Sequence, residues 1–362
     1  MNLNPEEKPF PILKLPFLPL SNVLHNFDYL EMLDFSFVSK KCQFVIQLIK
    51  FADFEICLNF QRNRSPKKLL AIIFYRRKKC IFEFSIDELN NRKKYLKRKD
   101  ESTEIMDDKH MIWIDSAKEW TDYICGLFRM ELNYIYLPSD GSMQEMSDLS
   151  EWINNRKNEI DYCEFRGDDT NSDSIELFFK KAEFSIHNLS FGLEQPYLRK
   201  PLPFEALDLT EVYLSSKTWE KPVTWITVND VINFKYRRIV MGVCQFNEND
   251  INRIIRSWLD GNNPQMEFFT VALKPLNFDL VLDGIEFEKK DRMDKIMFVY
   301  DFMGREECHI FEGGFDIRRE DGTLATIQQI RRFWSDTSKL WFAMAVWPYN
   351  KFPYKGQKRL DL

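Results

Sequence analysis

Residues 10–49 repeat apolar positions with the period of an α-helix. The apolar residues fall into three consecutive groups with spacings of three and four, which predicts three short helices: Leu20, Val23, Leu24 and Phe27; Leu30, Leu33 and Phe37; Val38, Cys42, Val45, Ile46 and Ile49. Asp28 and Glu31 have capping-box spacing, so the second helix is expected to begin near Tyr29, and Ser36 is a candidate cap for the third. Because helices this short bury too little surface to be stable alone, the segment is predicted to be a docking module.

The order of motifs in this segment is also informative. Leu15-Pro16 opens it, Val23-Leu24 forms an apolar pair, and Val38-Ser39-Lys40 follows. With these motifs the segment resembles an F-box, which docks substrate receptors onto the Skp1 adaptor of cullin-type ubiquitin ligases. Ser21 and Asn22 stand where many F-boxes carry a glutamate, a departure that also occurs in the looser nematode variants. The alternative is an ordinary helical cap on a larger domain.

The resemblance implies which residues contact the adaptor. They are the entry pair, the apolar positions of the first two helices and the start of the signature: Leu15, Pro16, Leu18, Leu20, Val23, Leu24, Phe27, Leu30, Leu33, Val38 and Ser39. These residues are the candidate adaptor-binding site.

After residue 50 the pattern changes to short alternating runs. Two or three strands are predicted between residues 51 and 90, and strands then alternate with helices. The predicted strands are 134–137, 160–165, 183–189, 207–214, 239–243 and 268–273, and the predicted helices are 147–156, 175–180, 228–234 and 251–259. The repeated strand–helix–strand length predicts strands that lie side by side with helices over one face. The expected fold class is α+β: a three-helix F-box, then an irregular, leucine-rich-repeat-like α/β domain with a C-terminal β-hairpin region.

Two passages in the second half have clear local patterns. In the first, Asn247 or Asn249 can cap a helix, whose apolar stripe is Ile251, Ile254, Ile255, Trp258 and Leu259. In the second, residues 313–327 alternate around Asp321-Gly322, which predicts a hairpin before a last strand from Trp341 to Trp347. The segment 226–264, which contains the first passage, and residues 313–327 of the second resemble the nematode F-box-associated domain of type 2. The expected domains are therefore 10–50 (F-box), 51–199 (an unassigned α/β region of the repeat-like domain) and 200–348 (F-box-associated, type 2).

Composition narrows the possible classes of protein. The chain has 362 residues, of which 44% are hydrophobic, so it can bury a core and is not disordered throughout. Its formal charge of -5 does not predict binding to nucleic acid or to a membrane surface. The absence of a transmembrane run or signal peptide predicts an intracellular protein, cytoplasmic or nuclear, with seven reduced and mostly buried cysteines. A basic run at 91–99 precedes acidic residues at 100–104, and this segment is either a solvated loop or a nuclear import signal.

The sequence contains no recognisable catalytic or metal-binding motif. The four histidines are not paired at helical spacing, Cys-x-x-Cys and phosphate-binding glycine patterns are absent, and Cys308 and His309 point apart on a strand. No cofactor or metal is therefore expected. Trp219 and Trp225 flank a turn-like Lys221-Pro222, and they are either exposed anchors for a target protein or buried core residues.

Together these observations predict a non-catalytic substrate receptor of a Skp1-cullin-F-box type ubiquitin ligase. Its partners would be a Skp1-type adaptor and an unidentified target protein, without nucleic acid or membrane. One alternative is a repeat-based interaction protein unconnected to ubiquitination. The other is an enzyme of unrecognised type, which would need a deep pocket with convergent polar side chains.

Overall fold

The computed structural model describes residues 11–49, 55–61, 69–76, 79–85, 111–156, 159–167, 171–193, 209–215, 222–302, 305–331 and 340–347. The chain divides into two compact units. The first comprises residues 1–58 and 70–132, and the second comprises residues 59–69 and 133–362. The basic and acidic runs at 91–104 and the candidate anchor Trp219 lie outside the described residues.

The first unit begins with the three predicted helices. A 3-10 turn at Ile12–Lys14 precedes α1 (Phe17–Leu24), α2 (Tyr29–Val38) and α3 (Lys40–Leu48). The capping box of α2 is confirmed, because the Asp28 carboxylate accepts from the Glu31 amide at 2.7 Å and the Glu31 carboxylate accepts from the Asp28 amide at 2.8 Å.

The predicted cap of the third helix is wrong. Ser39 caps α3, since its backbone is extended and its Oγ accepts from the Cys42 amide at 3.2 Å. Ser36 lies inside α2, where its hydroxyl donates to the Leu33 carbonyl at 2.5 Å. A residue with helical neighbours on both sides cannot take the extended conformation that a cap requires.

The remainder of the first unit contains strands and one long helix. β1 (Glu55–Gln61), β2 (Leu69–Arg76) and β3 (Lys79–Ser85) are neighbours in that order, and β2 pairs with β3 in antiparallel fashion. These strands agree with the alternation seen between residues 51 and 90. They are followed by α4 (Met111–Phe128).

Helices α2 and α3 are held against α4 by aromatic and polar contacts. The Phe37 ring stacks on the Tyr123 ring with centroids 5.4 Å apart. The Tyr123 hydroxyl lies 2.6 Å from Ser36 Oγ and accepts from Gln43 Nε2 at 3.1 Å. In addition, Gln47 Nε2 donates to the Gly126 carbonyl at 3.2 Å. The three-helix segment therefore shares its packing with α4 and belongs to a larger unit than residues 10–50.

The second unit begins with six strands that follow one another in chain order: β4 (Leu132–Pro138), β5 (Glu159–Gly167), β6 (Ser185–Leu193), β7 (Glu211–Ser215), β8 (Arg238–Val243) and β9 (Phe268–Leu273). Each strand pairs in parallel with the next. This confirms the predicted side-by-side arrangement, with β7 beginning four residues later than expected. The sheet also continues across residue 200, where a domain boundary was expected.

Helices connect these parallel strands. They are α5 (Met143–Asn154), α6 (Ser172–Lys181), α7 (Val228–Asn233) and α8 (Glu248–Leu259), and a short α9 (Phe278–Val281) follows β9. The expected start of α5 at Ser147 is wrong, because Ser142 and Glu145 form a capping box upstream. Asn247 caps α8, as one of the two candidates predicted. Four of the five stripe residues of α8 are buried, and Leu259 is half-buried.

The C-terminal part of the sheet is antiparallel. β10 (Glu288–Phe302), β11 (Arg305–Arg318), β12 (Leu324–Arg331) and β13 (Leu340–Trp347) are neighbours in chain order, and β13 pairs with β9. The predicted hairpin is confirmed, because β11 and β12 pair around Asp321-Gly322. Gly313 and Gly314 have positive φ angles of 75° and 105°, where the register with β10 shifts. A Cβ on Gly314 would lie 2.7 Å from the Ile327 carbonyl oxygen, so this bulge requires glycine.

An aromatic cluster forms the core of this antiparallel part. Phe268 of β9 stacks on Phe298 of β10 with ring centroids 5.0 Å apart, and Trp347 packs edge-on against Phe298. The Trp347 indole donates to Thr326 Oγ1 at 2.8 Å, which satisfies its buried N–H group. The result is a mixed α/β architecture in which the last strand, β13, is buried along almost its full length.

Candidate functional site

Helices α1 and α3 pack on each other through their inner faces. Leu20 and Leu24 of α1 form one buried cluster with Val45 and Ile49, and Leu15 and Phe27 pack against its edge. The opposite faces of these two helices are apolar as well, yet they are exposed, and so is Val38 at the end of α2. We call these exposed residues the outer apolar face: Phe17, Leu18, Val23, Val38, Phe44 and Leu48.

The exposed fractions in the outer apolar face are high for large apolar side chains. Leu18 is 75% exposed, Val38 is 71% exposed and Phe44 is 56% exposed. Scattered exposed apolar residues are normal on a soluble protein, whereas six on three consecutive short helices form the kind of patch that marks an interaction site.

The structure separates the predicted adaptor-binding residues into three groups. Pro16, Leu18, Val23 and Val38 are exposed; Leu15, Phe27, Leu30 and Ser39 are half-buried; Leu20, Leu24 and Leu33 are buried. The buried leucines support the helices from inside, and the exposed residues are available to a partner. Phe17, Phe44 and Leu48 were not among the predicted residues. The i, i+4 spacing of Phe44 and Leu48, opposite the inner stripe Cys42, Val45 and Ile46, is a signal for them in the sequence.

Basic residues accompany the outer apolar face. Lys40 and Lys41 open α3 after its cap Ser39, two and three residues beyond Val38, and Lys14 precedes α1. All three side chains are exposed, and no salt bridge involves them within the part of the chain that the structure describes. A partner that covers the apolar residues would therefore gain from carboxylates at its rim.

Of the two tryptophans predicted as target anchors, the structure describes Trp225. Its ring packs edge-on against Phe191 of β6 with centroids 5.9 Å apart, and the residue is half-buried. The indole Nε1 atom is buried and has no hydrogen-bond partner. Trp225 is therefore partly accessible, and its target-binding role stays a prediction.

The second unit contains an open cleft at the carboxyl ends of β8 and β9. It has a volume of about 890 Å³, which is in the range of ligand-binding clefts. Its walls are largely apolar and include Pro222, Val243, Phe246, Pro275, Leu276 and Leu340. Burial raises the pKa of the Cys244 thiol in the wall to about 12, so this thiol stays protonated at neutral pH.

Two of the polar side chains that line this cleft, Asn247 and Glu248, are engaged in local structure, and the exposed Lys274 lines it as well. Asn247 Oδ1 accepts from the Asp250 amide at 3.1 Å as the cap of α8, and Glu248 Oε1 accepts from the Asn277 amide at 3.2 Å. Gln329 binds the loop that forms one wall, accepting from the Leu276 amide at 3.0 Å and donating to the Lys274 carbonyl at 2.8 Å. These contacts fix the shape of the cleft, and the geometry is suited to an apolar ligand surface.

A buried polar cluster lies on β5. The Glu164 carboxylate accepts from the Tyr162 hydroxyl at 2.8 Å, and Arg166 Nη2 lies 2.6 Å from its other oxygen. Burial raises the pKa of Glu164 above its usual value, and the attraction of Arg166 and the hydrogen bond from Tyr162 oppose this rise. Burial also raises the pKa of Tyr162, so its hydroxyl stays a donor. Since both carboxylate oxygens are paired, the cluster is structural.

This cluster gives a pH-dependent expectation. A carboxyl with a raised pKa in the folded state contributes stability below its unfolded pKa and loses it as pH rises through the folded pKa. Replacing Arg166→Met removes the compensating cation, so the pKa of Glu164 should rise further. We expect the variant to lose about 1–3 kcal/mol at pH 8 and much less at pH 4.5. Thermal melts at both pH values measure this. Combining Arg166→Met with Glu164→Gln should remove the pH dependence. An equal loss of stability at both pH values in the Arg166→Met variant would contradict the assignment.

Among the residues that the structure describes, no three or more His, Cys, Asp or Glu side chains are placed to hold a metal ion together. No helix in the described ranges is both long and apolar enough to cross a membrane. Cys42, Cys57, Cys125, Cys163 and Cys244 are buried, as expected, whereas Cys308 is exposed.

Comparison with known proteins identifies the segment from β7 to β9. Residues 205–271 match the model of the F-box associated family, and this range contains the capped helix α8 with its apolar stripe. The chain thus contains an F-box associated segment. The chain is 22% identical over 344 residues to the F-box associated domain-containing protein sdz-33 of Caenorhabditis elegans, covering 93% of this chain and 98% of that protein.

No solved structure matches this chain. The family match confirms the resemblance of residues 226–264, which lie inside the matched range. The family match suggests a role in protein–protein interaction in the setting of F-box proteins and ubiquitin ligases, since proteins of this family are generally adaptors.

Proposed function

We propose that this F-box associated protein is the substrate-recognition subunit of a Skp1-cullin-F-box type ubiquitin ligase. In this proposal residues 10–50 are an F-box that binds a Skp1-type adaptor, and the second unit, which is leucine-rich-repeat-like, holds a target protein. The observation that carries the proposal is the outer apolar face, in which Leu18, Val38 and Phe44 are more than half exposed on helices whose inner faces are fully packed.

The energetic reason is the cost of leaving such a surface in water. Each fully buried large apolar side chain contributes about 1.5–3 kcal/mol relative to exposure. The first unit has enough apolar residues to bury Leu20, Leu24, Ile46 and Ile49 completely, yet α1 and α3 keep a second apolar side outward. A partner surface that covers this side would recover that free energy, and the exposed Lys14, Lys40 and Lys41 favour an adaptor with an acidic rim.

The role in ubiquitin transfer would be proximity. The protein performs no bond chemistry in this proposal, and it raises the local concentration of target lysines at the charged E2 enzyme. It requires no cofactor, nucleic acid or membrane. The second candidate is a repeat-based interaction protein outside ubiquitination, which is favoured by one observation: α2 and α3 also pack on α4 of their own unit.

Direct binding to an adaptor tests the proposal. Purified full-length protein is mixed with a Skp1-type adaptor, and the affinity is measured by isothermal titration calorimetry. We expect a one-to-one complex and a loss of binding in the double variant Leu15→Ala with Pro16→Ala, because these residues open the docking segment. Equal affinity of the wild type and this variant would argue against an F-box in residues 10–50. Absence of any complex would favour the second candidate.

A further inference from the structure

A second exposed apolar surface lies on the second unit, next to the cleft. Phe278 of α9 stacks on Phe315 of β11 with ring centroids 5.0 Å apart, and Phe287 packs edge-on against Phe315 at 5.4 Å. Leu280 is 51% exposed and Phe287 is 46% exposed. These four apolar residues form the centre of the surface.

Carboxylates are interleaved with these apolar residues. Asp279 lies between Phe278 and Leu280, and Glu286 and Glu288 flank Phe287. Asp283 completes the group, so residues 275–288 contain four acidic side chains and no Lys or Arg. We call this surface the acidic aromatic patch: Phe278, Leu280, Phe287 and Phe315 with Asp279, Asp283, Glu286 and Glu288.

The nearby cations leave most of these carboxylates unpaired. Lys290 Nζ lies 2.8 Å from Glu288 and 3.4 Å from Asp316, so it is already shared between two acids. Arg256 donates to Asn252 Oδ1 at 2.8 Å and to the Asp283 carbonyl, and Lys289 is exposed. No ion pair of Asp279, Asp283 or Glu286 is present among the described residues.

The patch adjoins the cleft through one short loop. Leu276 lines the cleft, and Phe278 belongs to the patch two residues later, a separation of about 7 Å at most. The loop is held at both ends, since Glu248 binds the Asn277 amide and Gln329 binds the Leu276 amide. The apolar cleft and the acidic, aromatic surface are thus held next to each other before a ligand binds. Because binding needs no rearrangement of this loop, its entropic cost is lower.

We propose that the cleft and the acidic aromatic patch together dock a target protein through a segment rich in bulky apolar and basic residues. The apolar side chains of the segment would enter the cleft and pack on Phe287 and Phe315, and its Lys or Arg side chains would pair with Asp279, Asp283 and Glu286. Arg and Lys can also lie over aromatic rings, which favours the same composition. This inference depends on the proposed function in one respect: it takes the docked segment to be part of a ligase target.

A designed peptide tests this recognition. The probe is a short fluorescein-labelled peptide in which Phe and Leu alternate with Lys, and its counterpart carries Glu in place of Lys. Binding to the full-length protein is followed by fluorescence anisotropy at low and high salt. We expect the lysine peptide to bind at least tenfold more tightly than the glutamate peptide, with a difference that shrinks as salt screens the charges. Equal affinities for the two peptides would overturn the proposal.

Matched charge reversals locate the site. Asp279→Lys with Glu286→Lys should weaken binding of the lysine peptide at least tenfold. Glu151→Lys with Glu176→Lys makes the same change of charge on exposed residues of α5 and α6, and it should change binding less than twofold. Phe287→Ser tests the aromatic contribution independently, and melting temperatures verify that each variant folds. Equal weakening by the two double reversals would show a general charge effect and contradict the proposed site.

Two further readouts separate the remaining outcomes. If the patch binds a second copy of this chain, sedimentation should show a dimer that Phe287→Ser dissociates, and this result would overturn the peptide assignment. Adaptor affinity is measured on the wild-type protein beside the two peptide affinities. A wild type that binds the adaptor but does not discriminate between the peptides would refute only this inference, whereas a wild type that discriminates between the peptides but binds no adaptor would refute only the proposed adaptor role.

Discussion

Replacing Leu18→Glu is expected to lower the affinity for a Skp1-type adaptor by about thirty-fold or more. Leu18 is the most exposed residue of the outer apolar face, at 75%, and it points away from the Leu20 and Leu24 side of α1. Truncation of an interface hot spot costs about 2 kcal/mol, which corresponds to roughly thirty-fold in dissociation constant, and a buried unpaired charge adds to this. The affinity is measured by calorimetry with the full-length variant.

The control for this variant is Met293→Glu. Met293 is 84% exposed on β10 of the second unit, so it receives the same charge at an equally exposed apolar position. We expect the adaptor affinity and the melting temperature of the control to match those of the wild type. Loss of adaptor binding in both variants would show that added negative charge, and not the outer apolar face, is responsible.

Replacing Leu24→Ala should instead destabilise the first unit by about 2–5 kcal/mol. Leu24 is fully buried in the cluster that joins α1 to α3, so its truncation leaves a cavity between the two helices. Adaptor binding should weaken as a consequence of unfolding and should recover on cooling. Circular dichroism melts measure the loss of stability.

Leu48→Ala provides the comparison. This residue is the same amino acid on the same three-helix segment, yet it is 40% exposed and belongs to the outer apolar face. We expect it to cost less than about 1 kcal/mol of stability while weakening adaptor binding directly, because less apolar area is lost from the core. If Leu24→Ala and Leu48→Ala had equal effects on stability, the division between inner and outer faces would be wrong.

The sequence predicts the elements well where periodicity and caps coincide. Two helix starts are marked by capping boxes, at Asp28 with Glu31 and at Asn247 with Asp250. In each, the side chain of one residue accepts a hydrogen bond from the backbone amide of the other, three residues away. The parallel order of β4 to β9 follows from the recurring strand–helix–strand length, and the hairpin at Asp321-Gly322 follows from its turn residues. The family match lies in the part of the chain where these signals are clearest.

Other features depend on contacts that no local pattern contains. The helix α4 and its contacts from Tyr123 to Ser36 and Gln43 join residues eighty or more positions apart. For the same reason, the pattern groups Leu24 with Val23, although packing on α3 buries Leu24 and leaves Val23 exposed. The acidic aromatic patch joins α9, the segment before β10 and β11, so its three rings are brought together only by the sheet.

Hydrogen exchange of the complex tests the central claim most directly. The full-length protein is labelled with and without a saturating Skp1-type adaptor, and the protection of each peptide is compared. We predict increased protection of residues 17–24 and 38–48 on adaptor binding, with unchanged exchange in the matched family segment 205–271. No complex, or protection confined to the second unit, would contradict adaptor docking through the outer apolar face.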